Sequence, residues 1–91
     1  MNTPQTPAER INLQLHNFNI IDEGNTALAF SHQENFRQLL LYHLKKADDL
    51  YYEHQKTLRE QPNVNEELRR RIDETIKRFW EIMIEHNSWT N

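Results

Sequence analysis

Ninety-one residues, 36% of them hydrophobic, with a mean hydropathy of -0.98, suffice for one small core and exclude a multi-domain enzyme or a large cofactor fold. Fourteen acidic against eleven basic side chains give a net charge of -3, which argues against a dedicated phosphate-backbone binder and favours a protein partner. Cysteine is absent, so disulfides, thiolate chemistry and Cys-based zinc sites are excluded.

The opening residues, Met1 to Pro7, have neither a basic nor an apolar targeting region, and no stretch has the apolar length of a membrane span. A cytoplasmic protein with no membrane partner is expected. Within residues 6–30 two local signals compete. Thr6-Pro7-Ala8-Glu9 has the form of a helix start, followed by Ile11, Leu15 and Phe18 at helical spacing. From Phe18 to Phe30 the pattern instead resembles a β-hairpin, with Phe18 and Ile20 alternating, Asp22-Glu23-Gly24-Asn25 as the turn, and Leu28 and Phe30 alternating after it. The favoured reading is a short helix to about His16 and then a small hairpin; an all-helical segment is the alternative.

Ser31-His32-Gln33-Glu34 forms a capping box that predicts a helix start near His32. Phe36, Leu40, Leu44, Ala47, Leu50, Tyr51 and Leu58 then recur at three- and four-residue steps and gather into one stripe, up to a stop near Glu60 before Pro62. Asn65 is the candidate cap of a second long helix, over residues 65–88, whose stripe is Leu68, Ile72, Ile76, Phe79 and Met83. Glu66 with Arg70, Glu67 with Arg71, Asp73 with Lys77 and Glu74 with Arg78 are acid-first pairs that support helix, each by about 0.3 kcal/mol. The short connection predicts an antiparallel αα-hairpin. The fold class is thus predominantly α: one small domain, residues 1–91, with the N-terminal segment 1–30 packed on one side of a hairpin of helices 31–60 and 65–88.

Four groups of side chains are candidates for chemistry or binding. His32, His43 and His54 stand 11 residues apart on one helical line, with His86 on the facing stripe, but none has a carboxylate three residues before it, as helical metal sites do. They read as core or boundary histidines; no metal and no cofactor is expected. Arg69, Arg70 and Arg71, with Lys77 and Arg78, are candidate phosphate contacts, yet consecutive helical positions point apart and acids four residues away compete for most of them. Catalysis finds no glycine-rich loop and no thiol, only Ser31 and Ser88 as serines, and carboxylate pairs such as Asp48 and Asp49 that diverge by about 100° on a helix, so no enzyme is expected.

The fourth group is a second apolar patch. Leu41 and Tyr52 lie about 120° to 140° round the first helix from its stripe, and Trp80 and Ile84 about 90° to 130° round the second, which brings them to one side of the hairpin. Either the N-terminal segment, with Ile11, Leu13, Leu15, Phe18, Ile20, Ile21, Leu28 and Phe30, folds over this patch, or part of it stays exposed as a docking surface together with Tyr42 and Trp89. The function expected is stoichiometric protein binding, as adaptor, inhibitor or antitoxin-like partner, with homodimerisation to bury what one hairpin leaves open. A small nucleic-acid-associated regulator acting through the arginine run is the alternative.

Overall fold

The computed structural model describes the backbone of residues 6–24 and 33–90 and the side chains of residues 6–24 and 34–85. These residues form α1 (Pro7–Gly24), α2 (Gln33–Glu53), α3 (Gln55–Arg59) and α4 (Pro62–Thr90), with no strand among them. The chain is predominantly helical, as its periodicity predicts.

The expected β-hairpin does not form where the structure describes it. α1 starts as read, with the Thr6 hydroxyl accepting from the Glu9 amide at 3.1 Å, but runs past His16 to Gly24. The reason lies in burial. Ile11, Leu15 and Phe18 share a helical stripe and all three are sealed from solvent, each a transfer gain of roughly 1.5–3 kcal/mol. A strand would set Phe18 and Ile20 on one face; the helix turns Ile20 outward and brings Asp22 to the seam with α4 instead. Gly24 ends α1 without a positive φ, so the expected turn does not use it. Leu28, Phe30 and the capping Ser31 lie outside the described residues.

α2 begins at Gln33, and α2 and α3 are one helix interrupted at His54, where φ is -106° and ψ 25°. The bonds from the His54 amide to the Leu50 carbonyl and from the Leu58 amide to the His54 carbonyl, both 3.0 Å, bridge the break. The stripe read from the sequence, Phe36 to Leu58, is buried at every position.

α4 starts three residues earlier than the Asn65 cap implied. Pro62 takes the first helical position, where its missing N–H costs nothing and its fixed φ suits the helix. The Asn65 amide closes the first turn on the Gln61 carbonyl at 2.9 Å, so only Glu60 and Gln61 separate the two arms. The helix also runs on to Thr90, 29 residues and about 43 Å. Its buried stripe is Leu68, Ile72, Phe79 and Ile82, with Ile76 and Met83 half-buried, so the upper part faces the core through Ile82 rather than Met83.

Two clusters fill the interior. Ile11 and Leu15 of α1 meet Ala47, Leu50 and Tyr51 of α2, Leu58 of α3, and Leu68 and Ile72 of α4. Phe18 meets Phe36, Leu40 and Leu44 of α2, and Phe79 and Ile82 of α4. This pairing makes α1 and α4 each antiparallel to α2, an up-down-up arrangement in which α1 closes the groove of the α2–α4 hairpin.

Candidate protein-binding face

α2 and α4 are locked together on one side by Arg69. Its guanidinium donates to Asp73 one turn on, at 2.6 Å, and across to Asp48 of α2 at 3.2 Å, and it lies over the rings of Tyr51 and Tyr52 at 5.0 and 5.8 Å. Partial burial works against this cation, but the hydrogen bonds to Asp73 and Asp48 outweigh it and hold its pKa above the ordinary arginine value.

α1 is held on the opposite side. His43 of α2 shares a 2.7 Å hydrogen bond with Gln14, Arg71 of α4 donates to Asn12, and Arg78 grips Asp22 through both carboxylate oxygens at 2.7 and 2.9 Å. The Asp22 bonds are the main reason the Arg78 pKa is raised, and burial lowers that of His43. Two residues along a helix turn through about 200°. Leu41 therefore faces away from α1 because His43 faces toward it, and Arg69 and Trp80 face away because Arg71 and Arg78 face toward it.

These two sets of contacts fix where the predicted patch lies. Leu41 is seven residues before Asp48, Tyr52 four after it, and Trp80 eleven after Arg69, so all lie close to the line of the Asp48–Arg69 bridge. Leu41, Tyr52, Trp80 and Ile84 thus share the α2–α4 face remote from α1, and they are exposed at 40, 60, 60 and 65%. Residues 7–24 do not cover this patch, and Leu28 and Phe30, which the covering alternative also used, lie outside the described residues: α1 spends its apolar face on the groove, because the stripe there offers deeper burial than the flank.

Tyr42 is also exposed but sits apart, about 100° round α2 from Leu41 and edge-on to the His43 ring at 5.1 Å. The side chain of Trp89 lies outside the described residues. Sequence reasoning passed over Lys45, and took Lys77 only as the helical partner of Asp73 and as a candidate phosphate contact. Lys45 follows Leu41 by four residues and Lys77 precedes Trp80 by three, a proximity that helical spacing alone could have shown. It also passed over the Arg78–Asp22 clamp, which needs α1 to be helical as far as Gly24.

The arginine run is dispersed. Arg69 reaches α2, Arg71 reaches α1, and Arg70 points outward between Glu67 and Glu74, at 2.6 and 2.7 Å, bonds that raise its pKa while lowering that of Glu67. None of the four acid-first pairs expected along α4 forms. Arg71 and Arg78 are drawn across to α1, and Arg69 takes Asp73, leaving Lys77 with no ion pair to a described residue.

The histidine line does not converge either. His43 and His54 stand about 16 Å apart along their helix, too far to share an ion. No three His, Asp or Glu side chains among the described residues form a metal-binding group. His54 keeps its Nε2 buried and without a hydrogen-bond partner. His32 and the side chain of His86 lie outside the described residues. No helix among those residues is long and apolar enough to cross a membrane.

No protein-family model, curated protein or solved structure matches this chain.

Proposed function

We propose that the chain is a small non-enzymatic module that binds another protein stoichiometrically, as an adaptor, inhibitor or antitoxin-like partner. The observation that carries this reading is the α2–α4 face on which Leu41, Trp80 and Ile84 stay exposed although α1 already fills the groove behind them. A buried tryptophan or isoleucine stabilises a small domain, whereas an exposed one contributes little to folding and anchors binding efficiently. Three anchors on one side of a helix pair whose backbone hydrogen bonds are internally satisfied form a rigid, pre-organised surface. Binding there works by occlusion or bridging.

The nucleic-acid alternative draws less support, since the three consecutive arginines point in three directions and each is bonded to a carboxylate or an amide oxygen. α1 fills the α2–α4 groove within one copy, so a homodimer that buries what the hairpin leaves open would have to use the outer face. The test is quantitative retention of a partner from nuclease-treated source-cell extract by the wild-type chain, by Trp80→Ala and by Leu41→Asp. Both variants should keep a melting temperature within a few degrees of wild type and lose a partner held one-to-one by the wild type. Retention unchanged by both substitutions, or dependent on nucleic acid, overturns the reading.

A further inference from the structure

The charges that border the exposed apolar row identify the kind of partner that fits it, and this step rests on the protein-binding reading above. With α2 and α4 antiparallel and Asp48 level with Arg69, the anchors follow one another along the seam in the order Ile84, Trp80, Leu41. Those three positions span about 12 Å of helix axis, or roughly two helical turns. Lys45 stands about 40° outward of Leu41 on the rim of α2, and Lys77 about 60° outward of Trp80 on the rim of α4. Neither lysine makes an ion pair with a described residue, and both are exposed. In a chain of net charge -3, this part of the face carries an apolar floor between two unpaired cations. Nearby Glu34 is already paired with Arg37, and Glu81 lies on the flank of Arg78.

We infer that the upper half of the α2–α4 face receives an acidic amphipathic helix. Its apolar side chains, at i, i+3 or i+4, and i+7, cover Trp80, Leu41 and Ile84, and carboxylates on its two flanks meet Lys45 and Lys77. A third helix laid along the seam of an antiparallel pair is the packing such a surface accepts, and flanking charges choose partner and register. The lower half sets the limit of the footprint. There Asp48 and Asp73 surround Arg69, two carboxylates to one guanidinium, so the partner's acidic residues reach no further than Lys45 and do not extend beside Tyr52.

The test is a display library of 16-residue helical peptides with leucine fixed at i, i+3, i+7 and i+11 and the flanking positions drawn from Glu, Gln and Lys, selected against the wild-type chain. The peptides enriched should carry Glu on both flanks. Their affinity should fall at least about tenfold in Lys45→Glu/Lys77→Glu, and again in 0.5 M salt, while that double variant enriches Lys. Their binding should be lost in Trp80→Ala, with circular dichroism showing both variants folded. Enrichment of neutral or basic peptides, or affinities indifferent to the charge reversal but lost with Trp80→Ala, would leave a protein-docking face and overturn the acidic partner. Peptides whose binding ignores Trp80 would overturn the face itself. Self-association of the wild-type chain at micromolar concentration, abolished by Trp80→Ala, would give the face to a second copy and likewise refute the proposal.

Discussion

Phe18 and Ile20 are two residues apart, and their fates separate the helical α1 from a hairpin more sharply than any other pair. In a strand they share a face, so truncating either would empty the same core. In α1 they diverge by about 200°: Phe18 is fully buried and Ile20 is 52% exposed. Phe18→Ala removes a ring held among Phe36, Leu40, Leu44, Phe79 and Ile82, a loss of about 3–5 kcal/mol. A folded domain of this size has about 5–14 kcal/mol in hand, so the variant should melt more than about 12 °C below wild type. Ile20→Ala should change stability by less than about 0.5 kcal/mol, because the better helix propensity of Ala offsets the modest area lost. Urea titration followed by far-UV circular dichroism measures both. Costs equal to within about 1 kcal/mol would refute the helical placement of residues 18–24 and the side-chain geometry built on it.

Arg69→Ala should destabilise by about 1–2 kcal/mol, from partly exposed ion pairs and two cation–π contacts, and the gap to wild type should narrow in 1 M NaCl; Arg69→Lys should recover less than half in a thermal melt. His43 has its pKa lowered by burial, so protonation favours the unfolded chain: its stabilising contribution is complete above the unfolded value near 6.5 and is lost as pH falls through that value toward the lowered folded one. His43→Gln should therefore flatten the decline in melting temperature between about pH 7 and pH 5, and parallel curves would contradict this. His54→Leu removes a buried ring nitrogen that has no partner and places an apolar side chain on the stripe, so calorimetry should show stabilisation of about 1 kcal/mol.

Several features of the fold depend on local periodicity alone. The α2 stripe from Phe36 to Leu58, the Thr6 start of α1, the antiparallel return at Pro62 and the shared side of Leu41, Tyr52, Trp80 and Ile84 all follow from 100° per residue and from residues that stop or start helices. These features need no knowledge of what lies opposite.

Features that required a third element came from packing. Phe18 to Gly24 satisfies a strand pattern and a helix pattern about equally in isolation, and only the groove between α2 and α4, which accepts Ile11, Leu15 and Phe18 together, makes helix the better burial. The charge pairing along α4 changed for the same reason. Local rules weigh each acid four residues before a base at a few tenths of a kcal/mol, and cross-helix partners such as Asp22 and Asn12, partly shielded from water, compete successfully for Arg78 and Arg71. Arg69, level with Asp48 of α2, takes Asp73 in the same way and leaves Lys77, beside Trp80, with no ion pair to a described residue. The apolar half of the candidate face and the places of its two lysines were therefore legible from spacing alone, whereas the freedom of Lys77 from an ion pair to any described residue became visible only once Arg69 had taken Asp73.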